Sequence, residues 1–435
     1  MIKYLNKFYK NLDIHTAEVF VKSSKSLFIK VLGVFFSISL SIFLARTIGA
    51  EGIGVINLTN KIILLAITLG LFGSFKFIIK EVAISHNQKD FDEVGNVMHT
   101  AYWFNGFLTL IISVALILCS PFISDHIFMM PELKFPLIIA SIVLTPQVFS
   151  RIFSAGLAGY RKIWQSVLVD STLSIFFTLF FLLILWLNKI VLTINLVAIC
   201  YALGRLGVTI SVGIYWNKIF KNFSKRSKNF NKLLKTSKPL FIVSLVGIII
   251  NNGDVLILGL FSDANDIGIY SVCARITLLI IIILQITNSA VSPKIASLYS
   301  QNKVHDLELM IKKTTRFLFI IGSVFYILLI LFGKPILSLW GSEFVSGYLV
   351  LLIVGFGQFI NISTGAVGSI LLMTGYEKIQ RKISLYFLFI FVVSCIILTN
   401  QFGIIGAAFS ACITKGGINL VKLIYVRNIL KINVY

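Results

Sequence analysis

The chain carries one short segment twice: EGIGVINLTNK at residues 51–61 returns as NDIGIYSVCAR at residues 265–275. Both copies contain an Ile-Gly pair in the same register, and each ends in a cation, Lys61 in the first and Arg275 in the second. The two copies are 214 residues apart. This common register indicates that one ancestral half was duplicated.

The composition is that of a membrane protein, since 57% of the 435 residues are hydrophobic and only 13% are charged. About 20 apolar residues in a helix cross a hydrocarbon core of about 30 Å. Twelve such runs are present, at residues 27–46, 54–79, 101–119, 134–156, 164–187, 190–216, 238–261, 266–294, 314–333, 344–372, 380–401 and 404–428. We predict an all-α polytopic membrane protein whose twelve transmembrane helices form two pseudo-symmetric six-helix bundles around a central cavity.

The repeat continues through the later spans with small changes of register. Arg205-Leu206-Gly207 in the first half corresponds to Lys415-Gly416-Gly417 in the second, so a second cation is duplicated. Other corresponding pieces are residues 77–80 with 291–294, 119–121 with 333–335, and 159–163 with 375–379. A charge at the centre of a membrane helix costs about 2.5–3.5 kcal/mol, so cations kept in both halves indicate a function at the interface between them.

Four segments make up the predicted organisation. Residues 1–26 form a cytoplasmic amphipathic N-terminus, residues 27–216 an N-terminal six-helix bundle, residues 217–237 a basic cytoplasmic linker, and residues 238–435 a C-terminal six-helix bundle. The basic linker is read as a solvated loop that fixes orientation in preference to a partner-binding segment.

The net charge of +22 is concentrated on one side of the predicted spans. The connections on one face carry 29 Lys and Arg residues, and those on the opposite face carry four: Arg46, Lys134, Lys189 and Lys334. By the positive-inside rule the rich face is cytoplasmic, and an even number of spans then places both termini there. The charge therefore reflects topology and contact with anionic membrane lipids, and we predict no nucleic-acid partner.

Within the spans, six basic residues face only two acidic ones, Asp170 and Asp254; the basic residues are Lys30, Lys61, Arg151, Arg205, Arg275 and Lys415. Lys30 and Arg151 are close enough to a span end to extend to the lipid headgroups. We expect the other four cations, Lys61, Arg275, Arg205 and Lys415, to line a cavity that binds an anionic substrate. Structural or coupling roles are assigned to Asp254, Arg151, Asp170 and Arg46, with pairing of Asp254 to Arg275 as one alternative.

Amide side chains accompany the deep cations, among them Asn57, Asn60, Asn251 and Asn252. They suit sugar hydroxyls, and they equally suit hydrogen bonds between helices. The five cysteines show no metal-ligand spacing, Gly333-Lys334-Pro335 lacks the earlier glycine of a P-loop, and no histidine is deep in a span. We therefore predict that the protein has no catalytic residues, no metal and no cofactor, and that it is a transporter and not an enzyme.

Two motifs carry a family resemblance: LARTIGAEGIG at residues 44–54, and DVLILG at residues 254–259 leading into IGIY at residues 267–270. They resemble the polysaccharide export branch of the superfamily that also contains multidrug exporters and lipid II flippases. Twelve spans favour an O-antigen or exopolysaccharide repeat-unit flippase. The resemblance implies an undecaprenyl-pyrophosphate-linked oligosaccharide as substrate, the bacterial cytoplasmic (inner) membrane as location, and a polysaccharide polymerase and chain-length regulator as partners.

Two other functions remain open at this stage. A multidrug/cation antiporter of the same fold is expected to hold acidic residues in its cavity, whereas cations dominate here. A membrane-embedded glycosyltransferase or polymerase is expected to have a large external loop, whereas the longest predicted external loops have about a dozen residues. Both alternatives are less well supported than the flippase.

Overall fold

The computed structural model describes residues 14–220 and 227–434, with side chains from residue 25 onward. Most of the predicted N-terminal amphipathic segment (1–26) and residues 221–226 of the predicted linker (217–237) lie outside the described residues. The described chain is helical, with fourteen α-helices: α1 Ile14–Leu71, α2 Ser74–Asn87, α3 Phe91–Phe122, α4 Lys134–Ile142, α5 Leu144–Gly159, α6 Ile163–Ser171, α7 Leu173–Leu187, α8 Ile194–Ile219, α9 Phe230–Leu258, α10 Ala264–Ser300, α11 Val304–Ser338, α12 Tyr348–Ser363, α13 Val367–Met373 and α14 Glu377–Ile429.

Two of these helices are too long to be single spans. At 1.5 Å per residue, the 58 residues of α1 and the 53 residues of α14 would each reach about 80 Å, far beyond a core of about 30 Å. Each is interrupted by one glycine with positive φ, Gly49 (φ 69°) in α1 and Gly403 (φ 53°) in α14. A residue without a Cβ adopts this left-handed conformation readily, so the chain turns back at both positions.

With these two breaks, the described residues contain the twelve predicted spans. The bent pairs α4–α5 (48°) and α6–α7 (44°) each count as one span. Spans 1 and 2 are the parts of α1 before and after Gly49, and spans 11 and 12 are the parts of α14 before and after Gly403. Three spans consist of two helices each: span 4 is α4 with α5, span 5 is α6 with α7, and span 10 is α12 with α13. The other spans are single helices: span 3 is α3, and spans 6, 7, 8 and 9 are α8, α9, α10 and α11. Spans 1–6 are the N-lobe and spans 7–12 the C-lobe.

Several helices begin at a polar residue that accepts a hydrogen bond from a free backbone N–H. The side chain of Asp90 accepts from the N–H of Glu93 at the start of α3, and that of Asn229 accepts from the N–H of Lys232 at the start of α9. The side chain of Asp263 accepts from the N–H of Asp266 at the start of α10. Such caps contribute about 1 kcal/mol each. They set the residues at which these three helices begin.

Spans 2 and 8 cross in close contact through the duplicated segment. A Cβ added to Gly54 would overlap the carbonyl oxygen of Ala264, and a Cβ added to Gly268 would overlap that of Ala50. The two glycines are 214 residues apart, and so are the two alanines. The contact is therefore pseudo-symmetric, and the repeated Ile-Gly pair marks the crossing point of the two lobes.

Around this crossing the lobes are joined at the face opposite the lysine-rich one. The largest buried apolar cluster lies here and draws side chains from both lobes, among them spans 1, 2, 8, 9 and 10. The Glu343 carboxylate accepts a hydrogen bond from the N–H of Ala50 at 2.9 Å, at the start of span 2, where the helix dipole favours a negative charge. Two more hydrogen bonds cross between the lobes here, Trp340 Nε1 to Ser41 Oγ at 2.9 Å and Arg46 Nε to the Leu339 carbonyl at 3.0 Å.

At the lysine-rich face, the beginning of span 7 is held against the N-lobe by an ion-pair cluster that we call the basic-face latch. It consists of the Lys232 ammonium, 2.9 Å from Glu81 and 3.1 Å from Glu93. Nine residues further along span 7, the Phe241 ring stacks on the Phe72 ring at 4.6 Å between centroids. Spans 2 and 7 are therefore closed against each other in this conformation.

Substitution of Gly54 by Ala is expected to push spans 2 and 8 apart and to lower the thermal unfolding midpoint of the purified protein, because overpacking at a close backbone contact costs about 1–3 kcal/mol. Gly247→Ala is the matched control, since a Cβ at Gly247 meets nothing within 4 Å. A Gly54→Ala protein as stable as the Gly247→Ala protein would contradict the proposed crossing.

Substitution of Lys232 by Ala is expected to loosen the contact of span 7 with the N-lobe. The reporter is Ser237→Cys in a cysteine-free background, because Ser237 is fully buried in this conformation, beside Gly73 in the turn after span 2. If the free energy that favours the closed conformation falls by about 1 kcal/mol, the population of the open conformation rises about fivefold. The rate of maleimide labelling rises by the same factor.

Lys235→Ala removes an exposed lysine from the same helix and is expected to leave the labelling rate unchanged. Equal labelling of the Lys232→Ala and Lys235→Ala proteins would show that the latch does not hold the lobes together.

Candidate functional site

The four deep cations predicted from the sequence converge at one place between the lobes. Lys61 is on span 2, Arg205 on span 6, Arg275 on span 8 and Lys415 on span 12. Lys61 lies within electrostatic range of Arg275 and Lys415, and the Tyr201 hydroxyl lies within range of both Arg205 and Arg275. We call these four residues the cation cluster; each lobe contributes two of them.

The first duplicated pair reaches across the lobe interface. The Lys61 ammonium donates a hydrogen bond to Asn252 Oδ1 of span 7 at 2.7 Å. Arg275 donates from Nη1 to the Ser37 carbonyl of span 1 at 3.2 Å and from Nη2 to Asn57 Oδ1 of span 2 at 3.3 Å. Because all these acceptors are neutral, they orient the two cations without cancelling their charge.

The second duplicated pair stays within its own lobe. The buried Arg205, 7% exposed, donates from Nη2 to Asn60 Oδ1 of the N-lobe. The Lys415 ammonium lies 3.8 Å from Asp254 Oδ2 of the C-lobe. One cation of this pair therefore has a neutral partner and the other a charged one.

Asp254 is the one carboxylate that contacts the cation cluster among the described residues. It is 3% exposed, and its Oδ2 also accepts a hydrogen bond from the Tyr270 hydroxyl at 2.9 Å. Its predicted pairing with Arg275 is wrong: span 7 turns Asp254 toward spans 11 and 12 of its own lobe, whereas Arg275 turns toward the N-lobe. The cluster keeps four cations against one carboxylate.

The other predicted charges lie away from the cluster. Arg151 Nη1 pairs with Asp170 Oδ1 at 3.0 Å inside the N-lobe, between spans 4 and 5, so the expectation that Arg151 extends to the headgroups is wrong. This ion pair holds two bent spans together. Lys30 is exposed on span 1, and Arg46 is at the face opposite the lysine-rich one, where it joins the lobes.

A cavity of about 310 Å³ adjoins the cation cluster between spans 2 and 7. Its lining includes Asn252, the acceptor of the Lys61 hydrogen bond, together with Asn251, Ser244 and Thr68. Lys76 lines its end nearer the lysine-rich face. The lining is mainly apolar, and these hydroxyl and amide groups with Lys76 are the part of it that could contact phosphates and sugar hydroxyls. In the described part of the chain, no group of three or more His, Cys, Asp or Glu side chains is placed to hold a metal ion.

Sequence reasoning missed Lys422, which the charge count assigns to the basic C-terminal segment. The structure places it on span 12 inside the C-lobe, 9% exposed. A signal was present in the sequence, because Lys415, Asn419 and Lys422 follow one another at i, i+4 and i+7 and therefore share one face of a helix.

Comparison with known proteins agrees with this architecture. A sequence model of the polysaccharide biosynthesis protein family matches residues 22–299, and one of the MatE family matches residues 239–400. The capsular polysaccharide biosynthesis protein CapF of Staphylococcus aureus is 24% identical over 202 residues, which are 46% of this chain. The aligned part spans about half of that relative, 51% of its length.

Solved transporter structures share the fold. An inward-facing multidrug resistance MATE family transporter of the MOP superfamily superposes with a TM-score of 0.70 at 14% identity, covering 95% of this chain and 98% of its own. The lipid II flippase MurJ in an inward closed conformation gives 0.70 at 17% identity, covering 93% and 87%. A MOP superfamily transporter from Pyrococcus furiosus, described as having a binding pocket of reversed polarity, gives 0.61 at 15% identity, covering 96% and 95%.

The duplicated six-span lobes, the cation cluster between them and a family model that covers well over half of the chain lead to one assignment. This multi-pass membrane protein belongs to the polysaccharide biosynthesis protein family, with the two-lobe fold of MATE and MurJ transporters.

Proposed function

We propose that the protein is a flippase that moves undecaprenyl-pyrophosphate-linked oligosaccharide repeat units, of O-antigen or another surface polysaccharide, across the bacterial cytoplasmic membrane. The lysine-rich face and both termini are then cytoplasmic. The observation that carries the proposal is the cation cluster, four cations against the single carboxylate of Asp254 at the interface of the lobes. Membership of the polysaccharide biosynthesis protein family supports a glycan substrate.

The charge of the cluster matches the charge of a diphosphate. Two unit charges 4 Å apart interact by about 4 kcal/mol at an effective dielectric constant of about 20. Several such interactions offset the cost of holding unpaired cations in the membrane, which neutral amides such as Asn57 and Asn60 do not remove. The guanidinium groups of Arg205 and Arg275 can each bind phosphate with two parallel hydrogen bonds.

The partners of the cations suggest how binding is linked to movement of the lobes. Lys61 and Arg275 are held by acceptors on the opposite lobe, so these hydrogen bonds break when the lobes separate around them. A diphosphate that takes over the same donors replaces cross-lobe contacts by contacts to the substrate. Binding therefore shifts the equilibrium between conformations, as alternating access requires.

The two alternative functions fit the structure less well. A cationic drug would meet four positive side chains, and Asp254 is already occupied by Lys415 and Tyr270. A glycosyltransferase or polymerase needs room for a catalytic segment outside the membrane. On the face opposite the lysine-rich one, spans 3 and 4 are joined by the short segment between Phe122 and Lys134.

Substitution of Lys61 or Arg275 by Ala is expected to abolish surface polysaccharide and to accumulate lipid-linked repeat units, because the diphosphate loses a cation that reaches across the interface. The readouts are surface polysaccharide on intact cells and repeat units in lipid extracts, at equal protein abundance in the membrane. Lys30→Ala, which removes an exposed cation from span 1, is the control and is expected to be active. Arg275→Lys keeps the charge but not the planar fork, so intermediate activity is expected.

Full activity of both alanine variants would remove the proposed role of the cluster. A deletion strain separates the remaining functions. Complete repeat units held on the cytoplasmic leaflet support the flippase, absent or unpolymerised units on the outer leaflet support an enzyme, and a change only in sensitivity to cationic drugs supports an antiporter.

A further inference from the structure

Lys422 is a buried cation that the cation cluster does not use. It is 9% exposed, and no hydrogen bond or ion pair within the described residues reaches its ammonium group. Gly368 of span 10 lies beside it, since a Cβ added there would be 3.8 Å from Lys422 Nζ. The Nζ atom itself keeps access to solvent, so an anion can reach it, and an ammonium that is otherwise surrounded by protein is stabilised by such a partner.

A polar strip connects Lys422 with the cation cluster. Lys415, Asn419 and Lys422 occupy one face of span 12, and seven residues of helix separate the two lysines by about 10 Å. Between them, Asn419 Nδ2 donates to Asn361 Oδ1 of span 10 at 2.8 Å, and Asn361 Nδ2 donates to Gln358 Oε1 at 3.1 Å. The strip therefore offers amide groups along its length and an unpaired cation at its end.

Gly368 of span 10 leaves space at the Lys422 end of this strip. The span is broken between α12 and α13 at Gly365, whose φ is +70°. Beyond the break, Gly368 presents no side chain toward the Lys422 ammonium. Gly368, Asn361 and Asn419 are all partly exposed, so packing does not close off the strip completely.

The N-lobe has no counterpart of this cation. In the register that pairs Arg205 with Lys415, the residue corresponding to Lys422 is Val212, an apolar side chain that is 3% exposed. The cation cluster is built from duplicated residues, whereas Lys422 is an addition in one lobe. An added group of this kind is suited to recognising a feature of one particular substrate.

We propose that Lys422, with Asn419 and Asn361, forms a subsite for an acidic sugar of the transported oligosaccharide. This rests on the proposed flippase function, with the diphosphate at the cation cluster and the sugars along the strip. Amides donate to and accept from sugar hydroxyls, and the ammonium binds a sugar carboxylate. The substrate class is thus a lipid-linked oligosaccharide that carries a uronic acid or a similar carboxylate. An anionic lipid headgroup could bind the same ammonium, and the test below distinguishes it from an acidic sugar.

The test uses the full-length protein in nanodiscs of phosphatidylcholine and two synthetic probes, undecaprenyl-pyrophosphate-linked disaccharides that end in glucuronic acid or in glucose. The wild-type protein is expected to bind the acidic probe about tenfold more tightly, as a charge-assisted hydrogen bond implies. Lys422→Gln is expected to lose this preference while its affinity for the glucose probe is unchanged, and Lys422→Arg to retain it. Lys382→Gln removes an exposed lysine from span 11 and is the matched control.

Gly368→Val provides a second variant, because it fills the space in front of the ammonium from the neighbouring span and should cause the same loss. Equal binding of the two probes by the wild-type protein, or a preference that survives in both variants, overturns the subsite. Stabilisation by phosphatidylglycerol that depends on Lys422 and displaces the acidic probe also overturns it, in favour of a lipid site. Failure of the wild-type protein to bind undecaprenyl pyrophosphate alone would instead refute the proposed function.

Discussion

The close crossing of spans 2 and 8 is the contact on which the rest of the arrangement depends. Gly54 and Gly268 bring two backbones together at the face opposite the lysine-rich one. Lys61 and Arg275 each follow the glycine of their own span by seven residues, or about 10 Å of helix. Two helices that cross at the glycines therefore carry both cations to the same depth on either side of the interface. The position of the cation cluster is a geometric consequence of that crossing.

Most of the groups that hold the cation cluster in place are neutral hydrogen-bond acceptors. A carboxylate beside each cation would have made a set of structural ion pairs, as it does for Arg151 with Asp170. Amides and a backbone carbonyl instead hold Lys61, Arg205 and Arg275 in place and leave their charge uncompensated. The protein thereby retains a positive potential in a region of low dielectric constant, where it attracts an anion most strongly.

The sequence was sufficient to predict the twelve spans, the duplication and the four cations that meet between the lobes, because hydropathy and the spacing of repeated residues are visible along the chain. It did not predict the partner of Asp254, since the choice between Lys415 and Arg275 depends on how spans 7 and 8 are rotated about their axes. It also placed Lys422 with the basic C-terminal segment. The predicted span 404–428 includes that lysine, but its burial depends on which face of span 12 packs inside the lobe, and hydropathy does not give this rotation.

Membrane insertion, the number of spans, the orientation expected from the lysine-rich face and the expectation of an anionic substrate all follow from the order of residues, because each depends on local composition. The pairing of charges does not, because Lys61 and its acceptor Asn252 are 191 residues apart and Arg275 and Asn57 are 218 apart. Such contacts exist only once small residues have allowed two helices to approach and their packing has fixed the rotation of each helix. Side-chain packing between spans, which no local pattern records, therefore decided which cations face the interface and which of them remain without an anionic partner.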